Sequence, residues 1–156
     1  MTAFFMDGLY DDKRDGFSIE KSLQAGFPDE VQRMNACPFC SIPPGDILDE
    51  NDYAVAVRDS FPARKGHTLI IARRHVEDYF QLSKEERDKA FELLEKMKKA
   101  IDSEFNPDGY NIGFNIGQAG GQTIQHVHIH LIPRKKGDAE NCRRGVKGVI
   151  RRQMNY

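Results

Sequence analysis

Three histidines occupy alternate positions in one run, His126-Val127-His128-Ile129-His130-Leu131. In an extended chain, a period of two sends the imidazoles to one face and Val127, Ile129 and Leu131 to the other. Successive rings on that face stand roughly 6.5–7 Å apart at the backbone, close enough to act on one ligand. Stability alone does not select such a row. Protonated rings would repel one another, and buried neutral rings would each need a hydrogen-bond partner. Two chemistries suit it. Neutral imidazole is the commonest metal ligand, and an imidazole can also attack an electrophile while its neighbours handle protons and charge.

The loop ahead of the row, Gly117-Gln118-Ala119-Gly120-Gly121-Gln122, helps to choose between them. Gly117, Gly120 and Gly121 let backbone N–H groups converge, and Asn115, Gln122 and Thr123 add side-chain donors. The segment reads as an oxyanion cradle, and a cradle beside an imidazole nucleophile suits phosphorus chemistry. It fits neither GxGxxG nor the Walker pattern, and an ordinary hairpin turn uses the same residue types. Cys37-Pro38-Phe39-Cys40 is a single CxxC. It supplies half of a four-ligand zinc site, a redox pair, or two plain buried thiols.

Several elements must position these groups. Tyr53–Val57 and His67–Ala72 read as strands joined by the turn-like Phe61–Gly66. Ser83 with Glu86 forms a capping box. Behind it Ala90, Phe91, Leu94, Met97, Ile101 and Phe105 recur at helical spacing, until Asn106-Pro107-Asp108-Gly109 stops the helix. Tyr110–Ile116 alternates as a half-buried strand, and Ile124–Ile132 forms a last strand halted by Pro133. Strands, one long helix, then strands again predict an α+β domain with a mainly antiparallel sheet.

The chain has 156 residues, 23 basic and 24 acidic side chains and a formal net charge of −1. It is sized for one domain, and its charge gives no broad electrostatic case for a nucleic acid polymer or a membrane surface as partner. The first residues, Met1–Asp7, lack the basic region of a signal peptide, and three cysteines do not make a disulfide scaffold. A cytoplasmic location is expected. Residues 1–30 carry seven acids and three bases, and residues 139–156 five bases and one acid. The expected division is an extension over residues 1–35, a catalytic domain over 36–138 and a basic tail over 139–156.

His126–Ile132, with Gly121-Gln122-Thr123 before it and Pro133-Arg134 after it, resembles the signature of the histidine triad (HIT) superfamily of nucleotide hydrolases and transferases. Cys37-Pro38-Phe39-Cys40, Arg58-Asp59 and Gly66–Ile71 are similar to family positions as well, so the likeness runs from about Cys37 to Asp138. It implies a five-stranded sheet with one long helix, and a homodimer joined through the helix Ser83–Phe105 and the strand Tyr110–Ile116. It assigns His128 as nucleophile toward the α-phosphorus of a nucleotide, with His130 at the phosphate and His126 in support. Asn115, Gly121, Gln122 and Thr123 would meet the phosphate, and Asp59 the ribose hydroxyls. Val55, Val57 and Ile70 become candidates for the base pocket.

In the branch with the cysteine pair, the resemblance implies a structural zinc held by Cys37, Cys40, His75 and His126. His67 is then left as a structural or pocket-wall residue and Cys142 as a spare thiol. The implied substrates are diadenosine polyphosphates, favoured by Lys135, Lys136 and the basic tail, or nucleoside phosphoramidates. A nucleotide-binding module without turnover and a catalytic metal site stand as rival readings.

Overall fold

The computed structural model describes residues 37–139. The expectations for the 1–35 extension, for the tail beyond Ala139 and for Cys142 lie outside these residues. The described chain builds five strands, β1 (Ile47–Glu50), β2 (Ala54–Arg58), β3 (Thr68–Ala72), β4 (Gly109–Gly113) and β5 (His128–Arg134), with one helix, α1 (Lys84–Phe105), between β3 and β4. All pairings are antiparallel, and the spatial order is β1-β2-β3-β5-β4. This is the expected α+β architecture.

β2 and β3 are buried almost throughout, because both faces of the sheet are covered there. Directly opposed residues share a face. On one side Ala54, Ala56, Ile70, Ile129 and Leu131 meet Ala90, Leu93, Leu94, Met97 and Ile101 of α1. The opposite face carries Val55, Val57, Leu69 and Ile71, with Phe39, Ile42 and Ile47 against them. Register puts His128 opposite Ile71 and His130 opposite Leu69, so both histidines stand on this second face. Ile70 does not. Its place between Leu69 and Ile71 turns it under the helix, which removes it from the base-pocket candidates.

The capping box forms as expected: Glu86 N donates to Ser83 Oγ at 3.1 Å and Ser83 N to Glu86 Oε2 at 2.6 Å. Asn106, at φ 44°, ends α1 in the left-handed region, ahead of Pro107. Phe91, expected in the apolar stripe, is 38% exposed, and Leu93 is buried instead. One helical step of 100° carries Phe91 past the margin of the buried face.

β1 has no counterpart in the sequence reading. It is a four-residue edge strand whose register slips between Ile47 and Asp49, too short and irregular for a period to show. β5 starts later than expected, at His128, and runs through Pro133. Arg134 O accepts from Asp108 N on the β4 side, so the neighbouring position 133 faces the β3 side. β3 stops pairing at Thr68–Leu131, and the N–H that proline lacks has no ladder partner to lose.

Candidate active site and metal centre

The histidine row divides between two adjoining clusters. His128 and His130 open β5, their ring centroids 5.0 Å apart at 73°. His126 precedes the strand and is fully buried. Its Nε2–H donates to Ala72 O at 2.6 Å, so its Nδ1 lone pair faces Cys37 Sγ at 3.5 Å and Cys40 Sγ at 3.6 Å. Its carbonyl accepts from Nδ1 of His128 at 2.7 Å. That bond fixes the tautomer of a neutral His128 ring and leaves the lone pair on Nε2. Among the described residues Nε2 has no hydrogen-bond partner, and no buried side-chain nitrogen or oxygen is left unpaired, so Nε2 opens toward solvent.

His130 continues the cluster. Its Nδ1 lies 3.0 Å from Nε2 of His67, whose Nδ1 is 3.2 Å from both Ala63 N and Asp59 Oδ2. Asp59 in turn takes the N–H of Phe61 on Oδ1 at 2.8 Å. Two arrangements satisfy this chain. With the N–H of Ala63 on Nδ1 of His67, the proton of His67 points to His130. With a proton held toward Asp59, His130 donates to His67 instead. Moving one proton shifts the other.

Burial, the neighbouring His128 and His67 together push His130 down to about 4, against the pull of Asp59. Burial also lowers His67, with Asp59 opposing and His128 assisting. Both rings are therefore neutral near pH 7. His67 thus links Asp59 to His130, whereas the sequence predicts only a structural or pocket-wall residue. Its only sequence signal was an unassigned histidine at the head of a strand.

The glycine loop is arranged differently from the expected cradle. Gly117 and Gly121 take φ values of 69° and 85°, which favour glycine. However, Gly120 N, Gly121 N and Gln122 N all donate back to carbonyls within the loop. Gly117 N goes to Gln122 Oε1 at 2.7 Å. These N–H groups are spent on holding the turn. Gln122 is buried and also donates from Nε2 to Glu77 O at 2.8 Å, which ties the loop to the segment after β3. Asn115 Nδ2 donates to Gly121 O at 3.2 Å and its amide has a second hydrogen to offer. Thr123 is exposed.

Lys135 and Lys136 lie past the far end of β5 from His128, a strand length of roughly 20 Å away. Lys135 Nζ caps Asn106 O at the end of α1. Neither lysine lies near His128, and this removes that support for the dinucleoside substrates.

Cys37 Sγ, Cys40 Sγ and one ring nitrogen each of His75 and His126 all lie within 4.8 Å of one another. Cys40 Sγ is 3.1 Å from His75 Nδ1. In a tetrahedral zinc centre neighbouring ligand atoms stand roughly 3.5 Å apart, so the spacing fits. The donor set fits too, and the bond from His126 Nε2 to Ala72 O orients the ring as a ligating imidazole requires. Burial and the adjacent Cys37 push the Cys40 thiol up to about 11. A divalent cation is the partner that offsets two thiolates so close together.

The family model described as the HIT domain matches residues 43–137. The chain belongs to the HIT family. This HIT chain is 37% identical over 103 residues to a protein of Schizosaccharomyces pombe named adenosine 5'-monophosphoramidase hnt1, covering 64% of this chain and 74% of that one. It is 34% identical over 96 residues to the bis(5'-adenosyl)-triphosphatase of Dictyostelium discoideum, covering 62% and 64%. Among solved structures, a zinc-bound histidine triad family protein of Mycobacterium smegmatis matches with a TM-score of 0.62 and 29% identity, over 69% of this HIT chain and 81% of the other.

Proposed function

We propose that this HIT protein hydrolyses a nucleotide phosphoanhydride or phosphoramidate bond through a nucleotidyl-histidine intermediate on His128. The observation that carries the reading is the bond from His128 Nδ1 to His126 O, which leaves a lone pair on Nε2 facing outward beside neutral His130. In the first step Nε2 attacks phosphorus. The bond to the leaving group breaks with its electron pair, and the leaving group departs with that pair and takes its proton from solvent water. In the second step water attacks phosphorus, the Nε2–P bond returns its pair to the ring, and neutral His130 takes a proton of the water and then releases it to solvent. Nucleoside monophosphate is released. His67 and Asp59 hold His130 in the required tautomer through both steps. Asp59 is also the acceptor for the ribose, Asn115 and Thr123 contact the phosphate, and Gly121 and Gln122 shape and brace their loop.

Dinucleoside polyphosphates are the first substrate class, in line with the triphosphatase relative. Nucleoside phosphoramidates are the second, in line with the phosphoramidase relative. Zinc, held by Cys37, Cys40, His75 and His126, supplies a closed structural centre rather than a Lewis acid at phosphorus. Reduced thiols in that centre suit the cytoplasm. Among the described residues no helix is long and apolar enough to cross a membrane. A homodimer through α1 and β4 is supported by the position of β4 at the edge of the sheet among the described residues, and by Phe91 and Ile112, 38% and 43% exposed on those elements.

The test is release of nucleoside monophosphate from diadenosine tri- and tetraphosphate and from adenosine phosphoramidate. His128→Asn should cut turnover by at least roughly a thousandfold while nucleotide affinity stays within a few fold. Phosphorus NMR of quenched wild type should show the acid-labile phosphoramidate. A wild type that releases nothing from any of the three substrates leaves the protein a binding module.

A further inference from the structure

Phe39 sits between the two cysteines, in the short turn Pro38–Cys40 that Cys40 N closes on Cys37 O at 3.1 Å. Its ring meets that of His128 edge-to-face, with centroids 5.0 Å apart at 70°, and that of His126 at 6.0 Å and 77°. On its other flank His128 meets His130 at 5.0 Å and 73°. The imidazole of His128 is thus held between two rings, and its Nδ1 is tied to the backbone. Rotation about χ2, a broad torsion for histidine, is the motion that would swing Nε2 away from a substrate. Both ring contacts oppose it. Phe39 is half-buried and packs against the cluster of Val55, Val57, Leu69 and Ile71, with buried Cys37 on its N-terminal side.

We propose that Phe39 is a positioning residue for His128, a ring wall that holds the imidazole with Nε2 directed at the reacting phosphorus. It acts through His128 and is not a group that exchanges protons or bonds. The kinetic part of this inference rests on the nucleotidyl-histidine reading, whereas the conformational part does not.

The experiment compares zinc-loaded full-length wild type, Phe39→Ala and Phe39→Tyr. Metal content and thermal unfolding report integrity, kcat and KM report turnover, and long-range proton–nitrogen NMR of the imidazoles at a single pH reports the tautomer of His128. Wild type should show one tautomer with the proton on Nδ1. Phe39→Ala should keep one zinc per chain, show a mixture of tautomers, and lose kcat by roughly 10- to 100-fold, as small misplacements of reacting groups do. Its KM should stay within about threefold, and Phe39→Tyr should restore both readouts.

A rise in KM alone would make Phe39 a wall of the nucleotide pocket and overturn the proposal, as would an unchanged tautomer in Phe39→Ala. Should Phe39→Ala lose its metal, Phe39→Leu, which keeps most of the volume but no aromatic ring, decides by the same readouts. If wild type turns over no nucleotide, the catalytic reading fails by itself, and the tautomer comparison still decides the role of Phe39.

Discussion

The carbonyl of His126 and Nδ1 of His128 are 2.7 Å apart, so one residue serves both halves of the site. The ring of His126 faces the cysteines, and its backbone carbonyl fixes the tautomer of His128. Whatever holds His126 in place therefore also sets the direction of Nε2 on His128.

Removing a thiol should loosen that arrangement. Cys37→Ser and Cys40→Ser are expected to bring zinc from one per chain to a small fraction of that. A metal present at a thousand times its dissociation constant stabilises the folded state by about 4 kcal/mol, so the variants should unfold at clearly lower temperature. Metal analysis with thermal unfolding, with and without chelator, checks this. An unchanged melting temperature together with full metal content would remove these cysteines from the ligand set.

Acid should weaken the fold through His130. Its folded-state value of about 4 lies below its ordinary 6.5. Between those values the unfolded chain binds more protons, so stability is highest above about pH 6.5 and falls as pH drops toward 4. The contribution is on the order of 3 kcal/mol at most. Denaturant unfolding at several pH values should show a shallower slope for His130→Asn than for wild type. Equal slopes would contradict the assignment.

Gly66 precedes His67 at φ 91°, and a Cβ there would meet Phe105 Cδ2 at 2.9 Å and Pro133 Cγ at 3.1 Å. Gly66→Ala is therefore strained in both backbone and packing, and should cost roughly 2–3 kcal/mol. Equilibrium unfolding measures it. A loss below about half a kcal/mol would mean that Phe105 moves aside freely.

Asp59 already accepts from Phe61 N and stands 3.2 Å from His67 Nδ1. As the ribose acceptor it should give Asp59→Ala a KM for ribonucleotide substrates raised roughly tenfold or more, the scale of a hydrogen bond to a charged group. Preference over an analogue lacking the ribose hydroxyls should disappear. If the variant retains that preference, the ribose is held elsewhere.

Much of the fold and part of the site could be read from local order. Alternation placed His128 and His130 on one face, because side-chain direction in a strand depends only on parity. Ser83 and Glu86 marked the start of α1, because a capping box closes within one turn. Ile70, a base-pocket candidate from the resemblance, lies under the helix instead, since parity within one strand says which residues share a face but not which face the helix covers. Only the tertiary structure gave His67 its partner His130, 63 residues away, and the grouping of Cys37 with His126, 89 residues apart, was implied by the resemblance and not by local order. Burial committed Gln122 to bracing its loop, and chain reversal carried Lys135 to the end of α1. Periodicity and capping report on neighbours within a few residues. Contacts formed when distant segments close on a common core leave no trace at that range, and they decided which groups of this protein work together.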